Sequence, residues 1–481
     1  MKGFVPTPPH LVDLMVEKLF RGRRPRPDEH LLDPGCGTGA FIEGVNRWCA
    51  IRGTQPPQIV GVESDPRLLL EARSNLRGLE HVKLLDADFL SKRHGHLFDY
   101  IVGNPPYVPI TALTVEERVQ YRGTFSAAVG RFDLYLLFFE QALHHLALDG
   151  RLVFVTPEKF LYTQTARPLR LQLGMFDVEE IHFVSENVFG ELITYPAITT
   201  VVKRSRRGRT AVTLRDGSIR QAMLSGGKSW LPGLHGIETQ TSTRSARDAF
   251  LRISCGVATG ADGVFVIKST ELTESLKKFA HPTVSGRSLR ESEFAVASQS
   301  MLVPYSRSGV LLQEHELGEL GEFLQEPVRK AKLMGRTCVA RKPWYSFHEN
   351  PPLSDILAPK ILCKDIGSRP WFVVDEKGAI VPRHSVYYMV PKQTERIHEL
   401  CRYLNSRASG DWLLANCQRA ANGYVRLQSH VLRQLPLPDA LIPELDEMPF
   451  PPYREDSPVR NDWVRETPRR RFRGNVKRFV R

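Results

Sequence analysis

Asn104-Pro105-Pro106-Tyr107 is the stretch of this chain whose residue types most directly specify a chemistry. The Asn side-chain oxygen and the Pro105 carbonyl are two acceptors on one short loop. Proline lacks an N–H and fixes φ, so two in succession hold the loop extended, and Pro105 steers Asn104 away from helical geometry. Tyr107 adds an aromatic face. Two acceptors beside a ring suit a planar group that carries an NH2. A second cluster is Asp33-Pro34-Gly35-Cys36-Gly37-Thr38-Gly39, where glycines allow a tight turn and close approach to a ligand. Asp33 can accept from an amine or an ordered water. Glu63 ends the next apolar run and can accept from both hydroxyls of a ribose; Asp88 can accept from an adenine amino group, with Phe89 beside that ring. The turn is not the strict G-x-G-x-x-G of dinucleotide binding, but a Gly-rich turn followed by an acid at the end of the next strand predicts a nucleoside-type cofactor.

These residues need elements to hold them. Short apolar runs at 31–32, 59–62, 82–85, 98–102, 151–156, 176–184 and 198–203 read as seven strands. Helical periodicity separates several of them, at 11–19, 41–45, 68–76 and 132–146. Strands alternating with helices over about 200 residues predict a doubly wound α/β sheet, with ligands just past the strands' carboxyl ends. Thr7-Pro8 suits a helix N-cap with proline at the first helical position, a reading that spacing alone favours over one that places Thr7 near a ligand. Residues 108–131 are polar and read as a long loop. An arginine-rich stretch, 204–209, marks a seam. Beyond it short β-like runs at 263–267, 360–363, 371–374 and 386–390, with helices at 311–333 and 394–406, predict a mixed α+β domain. The expected division is 1–205 for the α/β domain, 206–245 for the seam, 246–440 for the second domain and 441–481 for a Pro-rich, basic tail. In that tail Arg469-Arg470-Arg471-Phe472-Arg473 is either a phosphate-tracking arm or a solubilising extension.

A net charge of +13 favours a polyanionic partner, nucleic acid before membrane, unless the excess is simply spread over the surface. The seven cysteines form no C-x-x-C pair, which suggests neither a zinc site nor a disulfide framework; no metal is expected, and a reducing cytoplasm fits. No stretch reaches the roughly 18 apolar residues of a spanning helix.

Taken in order, Thr7-Pro8-Pro9, Asp33-Pro34-Gly35-Cys36-Gly37-Thr38-Gly39, Val62-Glu63, Asp88-Phe89 and Asn104-Pro105-Pro106-Tyr107 resemble the gamma group of N6-adenine DNA methyltransferases. The second half resembles, more loosely, that family's target-recognition domain, through Gly256-Val257-Ala258-Thr259-Gly260, Pro359-Lys360-Ile361-Leu362-Cys363, Gly423-Tyr424-Val425-Arg426-Leu427 and Leu435-Pro436. The resemblance implies a Rossmann-like class I methyltransferase domain with a mostly parallel seven-stranded sheet, S-adenosyl-L-methionine as methyl donor and double-stranded DNA as partner. It implies that Thr7, Asp33, Gly35, Gly37, Glu63, Asp88 and Phe89 line the cofactor. Asn104 and the Pro105 carbonyl would grip the target amine, with Pro106 stiffening the loop and Tyr107 stacking on the base. The family's second stacking aromatic falls near Ile193; Tyr195 is favoured for that place, with Phe189 nearby. Any cleavage belongs to a separate endonuclease, since no nuclease motif with room for a domain is found. Two other readings stay open: an N-methyltransferase acting on RNA or a protein glutamine, and a non-catalytic DNA-binding subunit.

Overall fold

Alternate residues of the central strands face opposite ways, and the two faces carry different cores. In the computed structural model, which describes residues 3–91, 97–190, 195–206, 208–224, 226–234, 236, 244–292, 294–419 and 424–442, these strands are β1 (His30–Pro34), β2 (Gln58–Glu63), β3 (Val82–Asp86), β4 (Phe98–Gly103), β5 (Leu146–Pro157), β6 (Asp177–Phe183) and β7 (Pro196–Val202). Leu31, Tyr100, Val102, Val153 and Val155 pack on one side against helices α1 (Pro9–Phe20) and α2 (Ala40–Ile51). Leu32, Ile101, Leu152 and Phe154 pack on the other. There they meet Phe138 and Phe139 of helix α5 (Leu134–His145); α3 (Pro66–Asn75) and α4 (Val115–Thr124) lie earlier in the chain and α6 (Arg167–Leu173) after it. Burial on both faces is what a sheet with parallel strands at its centre requires.

The sheet order is β3-β2-β1-β4-β5-β7-β6, extended by β8 (Thr210–Thr213) and β9 (Ile219–Ala222). β3, β2, β1, β4 and β5 run parallel, and β7 is antiparallel to both its neighbours. The chain therefore leaves β1 toward β2 on one side and reaches β4 on the other. The carboxyl ends of β1, β2, β3 and β4 all open on one edge, which is where a doubly wound sheet binds its ligand.

Several local expectations differ from the structure. The stretch 108–131 is not a continuous loop: Thr114 caps α4, accepting from the Glu117 N–H at 3.2 Å while Glu117 accepts from the Thr114 N–H at 2.7 Å. α1 starts one residue later than its capping pattern suggests, with Pro8 at the N-cap and no side-chain cap, so the Thr7 hydroxyl is used elsewhere. The sheet also continues into residues 206–245, because β8 pairs in parallel with β6 and carries β9 with it. The helix expected at 311–333 is two, Glu319–Gln325 and Pro327–Met334, divided where Pro327 starts a new first turn capped by Glu326. In 263–267, residues up to Phe265 form a helical turn and the strand begins at Val266.

The seam is held from below. Arg170 of α6 is 1% exposed, and its guanidinium donates to the carbonyls of Phe160 (2.6 Å), Thr163 (2.8 Å), Lys228 (2.8 Å) and Gly227 (3.1 Å). Such a fork of donors satisfies four carbonyls with one buried side chain. The second domain is mixed α+β. Its antiparallel sheet has the order β10-β17-β14-β16, formed by β10 (Phe250–Cys255), β14 (Lys360–Lys364), β16 (Phe372–Asp375) and β17 (Val386–Pro391). Helices Ile397–Leu404, Arg407–Asn416 and Ser429–Gln434 supply the core on one face of it. A small sheet of β11 (Val266–Lys268), β13 (Gln299–Leu302) and β12 (Ala280–Thr283) contributes to the core on the other face. A buried Lys360–Asp375 ion pair closes the end of β14 on β16. The expected site residue Ile193, the recognition-domain residue Gly423 and the basic tail lie outside the described residues.

Candidate active site

The four strand ends enclose a cavity of about 410 Å³, lined among others by Phe4, Gly35, Glu63, Asp88, Phe89, Asn104, Pro106 and Phe138. The sequence placed Gly35, Glu63, Asp88, Phe89, Asn104 and Pro106 there. Phe4 and Phe138 were not foreseen. Phe138 faces inward from a helix that reads as core, and Phe4 belongs to no helix face; its position three residues before Thr7 was the available signal.

Glu63 holds the Gly-rich turn as well as lining the cavity. Its carboxylate accepts from the Gly37 N–H at 3.0 Å on one oxygen, and from the Ser64 and Asp65 N–H groups, both at 2.8 Å, on the other. Two oxygens offer about four acceptor sites, three of them used here, so about one remains for a ligand hydroxyl. Gly37 has φ of 56°, and a Cβ there would sit 2.5 Å from the Phe4 ring. A side chain would therefore have to displace the aromatic that walls the cavity. Asp88 accepts from the Leu90 N–H at 2.9 Å, and burial holds its carboxyl above the ordinary range. Phe89 is 2% exposed and packs on Phe138 with centroids 5.3 Å apart.

Two buried groups here are orphans: Asp33, which is not part of the cavity's lining, and Asn104, which is. Asp33 is wholly buried, and neither carboxylate oxygen has a hydrogen-bond partner. Burial, and then the charge of Glu63, push its carboxyl well above the ordinary value of 3.8. It lies close under the start of the 104–107 loop: a Cβ on Gly103 would be 3.2 Å from Asp33 Oδ1. The second orphan is Asn104 Oδ1, also buried and unpartnered. The other end of that carboxamide is fully used, since Nδ2 donates to the Val5 carbonyl and to Thr7 Oγ1, both at 3.2 Å. Thr7, expected beside the cofactor, is thus engaged with Asn104. Buried acceptors without donors are rare in folded proteins and mark places where a ligand completes the network.

Tyr107 stands on the far side of Asn104. Its hydroxyl donates to the Val155 carbonyl at 3.3 Å, and burial raises its pKa, so the phenol stays protonated. The ring meets Tyr135 edge-on at 6.3 Å and Phe189 edge-on at 6.4 Å. The ring of Tyr195 instead lies under Arg215, 5.6 Å from the guanidinium. Arg215 also binds Glu158 at 2.6 Å and the Val184 carbonyl at 3.1 Å. The structure therefore brings Phe189 to Tyr107 and Tyr195 to Arg215. Among the described residues no cluster of three or more His, Cys, Asp or Glu could hold a metal, and no helix is long and apolar enough to cross a membrane.

A mostly parallel sheet with an acceptor-lined cleft at its switch point, joined to a mixed second domain, defines a methyltransferase with an attached specificity domain. Residues 66–189 match the Eco57I restriction-modification methylase family, and residues 319–437 match the TaqI-like C-terminal specificity domain. Among curated relatives, the Type II methyltransferase M.PaeR7I of Pseudomonas aeruginosa is 24% identical over 94% of this chain and 88% of its own length. M.XhoI of Xanthomonas vasicola is 26% identical over 75% of this chain and 72% of its own. Among solved structures, the Type IIL restriction-modification enzyme MmeI in complex with DNA superposes with a TM-score of 0.61 at 14% identity, covering 85% of this chain. The chain spans 61% of that larger enzyme, and the likeness extends the shared fold across both domains. These likenesses are to DNA methyltransferases of restriction–modification systems, and the chain is a DNA methyltransferase that uses S-adenosyl-L-methionine. The residues present fit that molecule: Asn104 brings an unpartnered acceptor and Glu63 and Asp88 bring carboxylates to the cavity, and the wholly buried Asp33, outside its lining, carries unpartnered acceptors at the foot of the Gly-rich turn.

Proposed function

We propose that this chain methylates N6 of adenine at a specific sequence in double-stranded DNA, with the base flipped out of the helix. The observation that carries the reading is Asn104 Oδ1, a buried acceptor with no partner on a loop whose other end is tied down. An exocyclic amine is a weak nucleophile because its lone pair is delocalised into the ring. Acceptors at Asn104 Oδ1 and the Pro105 carbonyl, bonded to its two N–H groups, draw the nitrogen toward tetrahedral geometry and return density to it. When bound, S-adenosyl-L-methionine supplies a methyl already activated on a sulfonium, so the protein's task is orientation and electrostatics. The buried Asp33 carboxylate suits the cofactor's amine, Glu63 its ribose hydroxyls and Asp88 its adenine amino group, with Gly35, Gly37 and Phe89 shaping the cleft and Thr7 reaching it through Asn104. Asn cannot remove a proton, and the amine's surplus proton passes to water.

A paired adenine cannot reach the cleft, so flipping must cost a few kcal/mol, of which stacking on Tyr107 returns roughly 1–3 kcal/mol. For the base's other face Tyr195 and Phe189 are the candidates, and the 6.4 Å approach to Tyr107 favours Phe189. The specificity domain and the net charge of +13 supply phosphate contacts, so binding should fall steeply with salt. We assign domain limits of 1–205 and 246–440 with β8 and β9 in the seam, cytoplasmic residence, and a restriction endonuclease on a separate polypeptide.

The test is incubation with labelled S-adenosylmethionine and mixed genomic DNA. N6-methyladenine at one motif is expected; label in RNA or in protein glutamine overturns the reading.

A further inference from the structure

We infer that Thr7, together with the backbone carbonyl of Val5, is a positioning device that sets which end of the Asn104 carboxamide faces the substrate. The inference rests on the reading of Asn104 as acceptor for the target amine. A carboxamide is nearly symmetric in shape but opposite in polarity at its two ends. Turned one way, Asn104 offers an acceptor to an incoming N–H. Turned the other way, it offers two N–H donors to a group that itself only donates, and the site repels its substrate.

Nothing in the 104–107 loop itself decides between the two. The decision comes from the amino-terminal segment that crosses it. Nδ2 has two hydrogens and finds two acceptors, Val5 O and Thr7 Oγ1, both at 3.2 Å. Reversal would place Oδ1 against the Val5 carbonyl, lone pair against lone pair. It would also leave an NH2 group in the buried spot where Oδ1 now has no partner. Committing both hydrogens to acceptors polarises the amide and makes Oδ1 a better acceptor. The segment is pressed close enough to hold this register: a Cβ on Gly3 would lie 2.5 Å from Val108 Cγ2 and 3.2 Å from the Tyr107 nitrogen. Thr7 is also free for the task, because α1 is capped without its side chain.

The role differs in its kinetics from a cofactor contact, and the test uses that difference. Full-length Thr7→Val, Thr7→Ala and Thr7→Ser are compared with wild type for kcat, KM for DNA and the calorimetric Kd for S-adenosylmethionine. Loss of one neutral hydrogen bond predicts that Thr7→Val and Thr7→Ala lower kcat about 5–10-fold. Cofactor Kd should stay within about 2-fold, and Thr7→Ser, which keeps the hydroxyl, should stay within about 2–3-fold of wild type throughout. In an Asn104→Ala background, Thr7→Val should change the residual rate no further. A raised cofactor Kd with kcat intact, or failure of Thr7→Ser to restore the rate, overturns the inference. If the wild-type enzyme labels an acceptor other than DNA, the proposed substrate fails; the same kinetic split on the true acceptor then still supports or overturns the role of Thr7.

Discussion

Replacing Asp33 by Asn should stabilise the protein and weaken its cofactor binding together. Asp33 is wholly buried, its two carboxylate oxygens have no donors, and Glu63 adds repulsion. The folded state therefore bears a penalty that a neutral amide of the same shape largely removes. Exchanging an unsatisfied buried charge for a neutral group gains about 1–2 kcal/mol. In a catalytic domain of this size that corresponds to about 2–8 °C in the melting midpoint. The sign with pH follows from proton binding. The Asp33 carboxyl is raised when folded, so between its ordinary value of 3.8 and its folded value the native state holds more protons than the unfolded chain. Wild-type stability from this group thus falls as pH rises through that window, and the penalty is complete above it. The advantage of Asp33→Asn should be small near pH 4 and reach a plateau at higher pH. Without its charged acceptor, affinity for the amine-bearing cofactor should drop roughly 10–100-fold, the worth of one charge-assisted hydrogen bond. Thermal melts across pH and calorimetric titration with S-adenosylmethionine measure both. A variant less stable than wild type at neutral pH, or one that binds cofactor equally well, would refute the argument.

Glu63→Gln can keep the paired bonds from Ser64 and Asp65 or the bond from Gly37, and must turn an NH2 toward whichever is given up. A fall of about 2 kcal/mol, or roughly 4–8 °C, is expected on melting, with cofactor Kd raised about 10-fold or more; an unchanged Kd in a folded variant would restrict Glu63 to holding the turn. Gly37→Ala brings a methyl within 2.5 Å of the Phe4 ring at a φ of 56°. It should cost about 1–3 kcal/mol of stability and shift Phe4 at the cavity wall, seen as weaker cofactor binding; near-normal binding would show that Phe4 yields without consequence. Tyr107→Phe loses only a long bond to Val155 and should keep most activity, whereas Tyr107→Ala should lower kcat/KM about 5–150-fold by removing the stacking face. Equal losses in the two would point to the hydroxyl instead of the ring.

What could be read from the sequence was what is local in it. Asp33, Gly35, Glu63, Asp88, Phe89 and Asn104 each sit at the end of a strand, and parallel pairing of β1 to β4 brings strand ends together without further instruction. The Thr114–Glu117 capping box was equally local, and with it the helix inside residues 108–131 could have been anticipated. Pro327 likewise marked the break in the helical stretch that contains it. Other features depend on contacts between distant residues. β9 has three exposed positions of four and is a strand only because β8 pairs with it. Thr7 was recognised as notable, but its partner lies 97 residues away, and spacing along a chain says nothing about that. Phe189 and Tyr195 flank residues outside the described set; Phe189 meets Tyr107 while Tyr195 lies under Arg215, a residue of the seam, and neither contact is local in sequence.

The contacts from residues 3–7 to the 104–108 loop matter for anyone handling this protein. Val5 and Thr7 reach Asn104 across 99 and 97 residues. Residues 3–7 thus form part of the candidate site, although they belong to no strand of the sheet. An affinity handle fused ahead of Gly3, or a processing step that trims this end, alters the wall of the active site while leaving the nine-stranded sheet and its cores intact. Removal of residues 3–7 should therefore lower methyl transfer by more than it lowers the melting midpoint, and equal losses in the two would show that this end serves the fold alone.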